Sequence, residues 1–215
     1  MDKLKVVEGY MPFKGYKTWY RIVGENDLGR LPLLTIHGGP GNTHWYLRSL
    51  DELARKYHRQ VIYYDQIGCG YSKAPSNPDM WSAELFEEEL HELRRHLGLE
   101  HVHLLGQSWG GMLELQYATH RPSGVASMVV ASSPADMDLW LAEAIRLRSY
   151  LPREMEQALA QADVDGDSTV PRSRPRAPST IAATWPPCPR TSGPRSGASP
   201  SPTRWETRST TRCRA

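Results

Sequence analysis

The stretch Gly106-Gln107-Ser108-Trp109-Gly110-Gly111 constrains this chain more than any other. The run His101-Val102-His103-Leu104-Leu105 before it reads as a short buried strand, and Met112 to Ala118 after it reads as a helix. A strand that turns into a helix within one G-x-S-x-G needs small residues where the two elements cross. Gly106 and Gly110 let them pass closely, while Ser108 sits on a strained turn with its hydroxyl exposed. Such an elbow presents a serine nucleophile. A plain glycine turn is the bland alternative, and the strand and helix on either side argue against it.

The chain before and after the elbow alternates between strand and helix patterns. Leu4 to Tyr10 and Tyr16 to Val23 read as an antiparallel pair with Pro12 and Gly15 in the turn. Leu31 to Ile36 reads as a buried strand ending in His37-Gly38-Gly39-Pro40-Gly41. Thr43 is placed to cap a helix in which Tyr46, Leu47, Leu50, Leu53 and Ala54 recur at helical spacing. Val61 to Tyr64 is a further strand, running into Asp65-Gln66-Ile67-Gly68-Cys69-Gly70-Tyr71-Ser72. Ser82 to Leu97 reads as a helix whose largely apolar face is Leu85, Phe86, Glu89, Leu90, Leu93 and Leu97, ended by Gly98. Ala126 to Ala131 is one more strand, and Asp136 to Ala162 reads as two amphipathic helices parted at Pro152. This alternation predicts an α/β fold, a mostly parallel sheet with helices on both faces.

Composition changes abruptly near Asp167. Residues 168–215 hold nine Pro, nine Arg, eight Ser, eight Thr and five Ala, and no Leu, Lys, Asp, Phe, Tyr or His. Their nine Arg face a single Glu, whereas the rest of the chain carries an acidic excess; the two nearly cancel to the overall +2. So few apolar residues cannot offset the entropy of ordering, and the segment is expected to be disordered. The first residues contain no apolar core of a signal peptide, and no apolar run approaches the ~20 residues that cross a bilayer. Cys69, Cys188 and Cys213 lack C-x-x-C spacing, which fits a reducing cytoplasm and argues against a disulfide framework or a zinc site.

Three motifs, His37-Gly38-Gly39-Pro40-Gly41, Asp65 to Ser72, and Gly106 to Gly111, together make residues 1–167 resemble the proline iminopeptidase branch of the α/β-hydrolases, which includes the tricorn-interacting aminopeptidases. The resemblance implies an α/β-hydrolase core over 1–134, the start of a helical cap over 135–167, and a tail over 168–215. It implies Ser108 as nucleophile toward a short peptide with an N-terminal proline. Two backbone donors would hold the oxyanion: the N–H of Trp109, next after the nucleophile, and that of Gly39. His37, Gly38, Pro40 and Gly41 would support that loop, with His37 fixing it and not acting as base. No cofactor, metal, nucleic acid or membrane is implied; the oligomeric state is left open. A phosphate cradle at the glycine-rich loop is disfavoured, because neither G-x-x-x-x-G-K-[ST] nor G-x-G-x-x-G occurs. Asp65 is expected to bond loop amides and Cys69 to pack. Trp45, Trp81, Trp109 and Trp140 either line a pocket for a proline ring or pack in the core.

The same resemblance exposes a gap. After Ser108 the only histidine is His120, twelve residues along the following helix and so about 18 Å away. His44, His58, His91, His96, His101 and His103 precede the elbow and read as surface or strand-end residues. The triad Asp and His, and the last strands of the sheet, have no counterpart. The expectation is therefore a family member truncated before its last strands and inactive as written. The alternatives are an amidase or esterase of the same fold, or a silent binding fragment. The tail composition is that of a GC-rich gene read in a wrong frame; a genuine basic tail for nucleic acid or anionic membrane is the competing reading. Without further strands, 126–131 becomes an open apolar edge that invites pairing between molecules.

Overall fold

A computed structural model of the chain describes residues 4–75 and 81–165, with side chains to 161. The expectation for 168–215 falls outside the described residues. The six strands are β1 (Val6–Phe13), β2 (Tyr16–Val23), β3 (Leu33–Ile36), β4 (Val61–Tyr64), β5 (Val102–Gln107) and β6 (Val125–Ala131). They form one sheet in the order β1-β2-β4-β3-β5-β6. β4, β3, β5 and β6 run parallel, and the β1–β2 hairpin adds antiparallel on the β4 side.

Lys14 and Gly15 alone turn the hairpin, both at positive φ (44° and 82°), as a two-residue loop between twisted strands requires. Pro12 was expected in that turn. It lies instead within β1, opposite Lys17, where an edge strand tolerates a residue without an N–H. The third strand is shorter than expected, beginning at Leu33. The segment after the glycine-rich loop is a 3₁₀ turn, His44–Leu50, running into α1 (Asp51–Tyr57); Thr43 precedes it without a side-chain cap bond.

Alternation along the central strands divides the core in two. Leu34, Ile36, Ile62, Tyr64, Val102 and Leu104 face α2 (Ala83–His96) and α3 (Trp109–Thr119), meeting Phe86, Leu90, Leu93, Trp109, Leu113 and Tyr117. Leu33, Val61 and Tyr63 point the other way, onto Leu47 and Ala54. Helices therefore cover both faces of the sheet. Each fully buried leucine contributes about 1.5–3 kcal/mol. Ser82 caps α2 by accepting the Leu85 N–H at 3.2 Å, and Gly98 ends it at φ 64°. After β6 come α4 (Met137–Arg148), with no buried residue, and α5 (Arg153–Asp165). No helix among the described residues is long and apolar enough to cross a membrane.

Candidate active site

Because β3, β4 and β5 are parallel, the loops that leave them gather at the carboxyl ends of the strands. These loops are His37–Gly41 after β3, Asp65–Ser72 after β4, and Ser108 after β5. Ser108 has φ 55° and ψ −121°, a conformation that costs a non-glycine residue about 1–3 kcal/mol and persists only where its surroundings fix it. They do so here. Its N–H donates to the Ala131 carbonyl at 2.9 Å, and its carbonyl accepts from Gly111 N (3.0 Å), Met112 N (3.1 Å) and Ser133 Oγ (2.8 Å). The end of β6 thus holds the elbow in place, which sequence patterns did not reveal. The Ser108 hydroxyl has no hydrogen-bond partner among the described residues.

Two glycines are required by close approach. A Cβ on Gly110 would run into the Ile36 carbonyl, its carbon only 2.7 Å away. A Cβ on Gly38 would come within 2.7 Å of Gln107 Oε1, 2.9 Å of the Gln107 carbonyl and 3.1 Å of Ser108 Cβ. The glycine-rich loop therefore lies directly against the elbow. Gly39, at φ 122°, joins Pro40 through a cis peptide bond.

His37 is hydrogen-bonded through both ring nitrogens. Its buried ring donates from Nδ1 to the Gly38 carbonyl at 2.9 Å and accepts the Gln66 N–H on Nε2 at 3.0 Å. Burial pushes its pKa below the ordinary histidine value, so the ring stays neutral. The Gln66 side chain then ties loop to elbow: its Nε2 donates to the His37 carbonyl at 2.7 Å, and its Oε1 accepts from Trp109 Nε1 at 2.9 Å.

Tyr46, which the sequence marked only as a helical apolar position, bridges the same two segments. Its hydroxyl accepts the Gly38 N–H and donates to Gln107 Oε1, both at 2.7 Å. Burial holds the phenol above its usual range and so protonated. His44 departs from expectation. It is buried, stacked on Trp45 (centroids 5.0 Å apart) and packed on Trp19 at 4.4 Å, because its ring and its N–H both donate to Asp65 Oδ1, at 2.8 and 2.9 Å. Asp65 Oδ2 accepts the Tyr71 N–H at 3.0 Å, so Asp65 does bond loop amides. Cys69 is buried.

The four tryptophans are not drawn together. Trp81 and Trp109 both pack on Phe86, while Trp45 lies under Arg48 and Trp140 is exposed on α4. His120 follows α3 and bonds Glu87. Two buried acids lie beneath the site. Glu89 accepts from Thr18 Oγ1 and the Ile67 N–H, whereas the Glu114 carboxyl has only the Gly106 amide close to it among the described residues. Burial pushes each up to about 8. Glu89 already fell on the apolar face of its helix in the sequence; Glu114 gave no such signal. Among the described residues no group of His, Cys, Asp and Glu is arranged to hold a metal.

A proline iminopeptidase of Clostridium botulinum is 51% identical to the chain over 165 residues, which are 76% of this chain and 56% of that protein. One of Lacticaseibacillus rhamnosus is 49% identical over 167 residues, 77% of this chain and 57% of that protein. Among solved structures, VinJ superposes with TM-score 0.71 at 39% identity, covering 78% of this chain and 57% of VinJ. The proline iminopeptidase of Mycobacterium smegmatis does so with TM-score 0.67 at 40% identity and the same coverage. The chain thus spans a little over half the length of these relatives. Residues 32–174 match the family described as the alpha/beta hydrolase fold, and with the sheet order, the elbow and these likenesses in agreement, the chain belongs to that family.

Proposed function

We propose that residues 1–167 are the nucleophile-bearing part of a serine hydrolase that releases N-terminal proline from short peptides. The observation that carries this is Ser108, a non-glycine residue held at φ 55° between β5 and α3, with Gly38 against its Cβ and its hydroxyl bonded to none of the described residues. Identity of 49–51% to proline iminopeptidases supports the substrate class. In this scheme Ser108 Oγ attacks the prolyl carbonyl, and the N–H groups of Gly39 and Trp109 receive the oxyanion. The Gly38 amide is already taken by Tyr46, which leaves Gly39 to supply the loop's donor. His37, Gly38, Pro40 and Gly41 keep that donor in position. The helices after β6 are the start of a cap. Such an enzyme needs a short peptide as partner and no cofactor, metal, nucleic acid or membrane. Three cysteines without C-x-x-C spacing support a cytoplasmic setting.

The 215-residue chain itself is proposed to be inactive. Ser108 needs a base to take its proton, and no histidine is placed for it. Both ring nitrogens of His37 are engaged, His44 Nδ1 is bound to Asp65, and His120 is bound to Glu87 beyond the far end of α3. The remaining histidines lie on α1's end, on α2 and at the start of β5. The test is a chimera joining residues 1–165 to the part of the Clostridium botulinum relative that the match leaves out. It is expected to cleave prolyl arylamides and to lose nearly all of that activity on Ser108→Ala. A folded chimera that prefers amides or esters would move the substrate class; one whose activity survives Ser108→Ala would remove Ser108 as nucleophile.

A further inference from the structure

Gly38 has to be glycine, because a Cβ there would meet Gln107 and Ser108. That requirement removes the side chain that restricts a backbone, just ahead of Gly39, and glycine rotates where other residues resist. Two side chains restore the constraint. The Gly38 N–H donates to the Tyr46 hydroxyl at 2.7 Å, and the Gly38 carbonyl accepts from His37 Nδ1 at 2.9 Å. That carbonyl and the Gly39 N–H belong to one peptide unit. In a trans peptide the two point in opposite directions, so holding the carbonyl toward the buried His37 ring turns the Gly39 N–H away from it. A backbone N–H can only donate, so the Tyr46 oxygen accepts there, and its single proton goes to Gln107 Oε1, also at 2.7 Å. Gln107 immediately precedes Ser108. One hydroxyl thus joins the loop that carries Gly39 to the strand end that carries the nucleophile. Tyr46 is itself firmly seated, on the 3₁₀ turn His44–Leu50, between His44, which is bonded to Asp65, and Leu47, which is packed in the core.

We propose that Tyr46 is a positioning residue, whose hydroxyl holds Gly38 and Gln107 so that the Gly39 N–H meets the oxyanion at a set distance from Ser108 Oγ. It touches no substrate and moves no proton to or from one. The role rests on Gly39 serving Ser108 as oxyanion donor, the reading proposed above, and is indifferent to which acyl group is attacked, since peptide, amide and ester all form the same oxyanion. Donors to that oxyanion are effective because they are fixed before charge develops. With the Tyr46 bond gone and the His37 bond kept, the Gly39 amide is still present but loosely aimed. The expected loss in kcat is about tenfold, below the roughly 100- to 1,000-fold that removal of a whole oxyanion donor costs.

The test is Tyr46→Phe, which keeps the ring and removes the hydroxyl. In the 215-residue chain, hydrogen exchange at the Gly38 amide should quicken about fivefold or more, as loss of one neutral hydrogen bond implies, while the cooperative unfolding transition is kept. In the chimera described above, Tyr46→Phe should lower kcat about tenfold and leave KM unchanged, the signature of an interaction made only in the transition state. Merely looser packing would not divide the effect in that way. The same loss is expected on whichever of a prolyl arylamide, an amide or an ester the chimera cleaves. Unchanged Gly38 exchange in the 215-residue chain would overturn the proposal. So would an unchanged kcat, or a rise in KM alone, in a chimera whose hydrolysis depends on Ser108; the hydrolase reading would then stand without Tyr46. A folded chimera with no Ser108-dependent hydrolysis of any of the three substrates would overturn that reading, and the role of Tyr46 with it.

Discussion

The Nδ1 proton of His44 is donated to Asp65 Oδ1 over 2.8 Å, and both side chains are buried. The bond joins the loop that follows β3 to the loop that follows β4, beside the glycine-rich turn and Ser108. Burial by itself pushes the Asp65 carboxyl up, but the hydrogen bonds from the His44 ring and from the Tyr71 and His44 amides outweigh it and hold the pKa below the ordinary value of 3.8.

Removing one partner of such a pair strands the other, so His44→Ala should cost about 3–5 kcal/mol in urea unfolding. His44→Asn, whose amide nitrogen can take the place of Nδ1, should recover part of the loss. Equal losses for Ala and Asn would show that ring packing matters and the hydrogen bond does not. Because the folded pKa of Asp65 is depressed, its contribution is present above about pH 3.8 and is lost as pH falls through the folded value.

Glu89 and Glu114 act in the opposite sense. Burial raises both to about 8 from an ordinary 4.5, so the folded chain keeps protons that the unfolded chain releases. Their contribution is complete below about pH 4.5 and is lost as pH rises toward 8, by up to about 1.4 kcal/mol per pH unit for each group. Unfolding free energies measured between pH 5 and 9 should fall with pH, and Glu114→Gln should flatten the slope by about half. A pH-independent stability in the parent chain would contradict the assignment of both groups as buried acids.

Gly110→Ala should destabilise by about 3 kcal/mol or more, since its Cβ meets the backbone of Ile36, which has no flexible end to move aside. Denaturant midpoints compared at equal m-values would measure this. A loss under about 1 kcal/mol would mean that α3 can move away from β3 without consequence.

Much of this was legible in the sequence. The central strands are short apolar runs with alternating burial, and the turn glycines and the elbow follow from local chemistry, so sheet, helices and Ser108 could be read directly. His44 could not: nothing in a histidine's neighbours in sequence says that an aspartate 21 residues away will bury it. Tyr46 and Ser133 were missed for the same reason, since each acts across a loop contact that only the fold creates. Pro12 was misread because proline is as much at home on an edge strand as in a turn, and sequence does not say which strand is the edge.

The change of composition at Asp167 carries a prediction for the gene. The matches to relatives are 165–170 residues long, close to the length of chain that precedes the Arg/Pro/Ser/Thr-rich segment. If that segment is a frameshift product, one other reading frame past this point should encode two further buried strands, one followed by Asp and the next by His. An alternative frame full of stop codons would favour a genuine basic tail.

The central claim is that Ser108 is a poised nucleophile without a base. It is tested most directly by assaying the 215-residue chain and its Ser108→Ala variant side by side on a prolyl arylamide. The expected result is the same background rate for both. Hydrolysis by the parent chain that disappears in Ser108→Ala would contradict the account, because it would require a base that none of the eight histidines supplies.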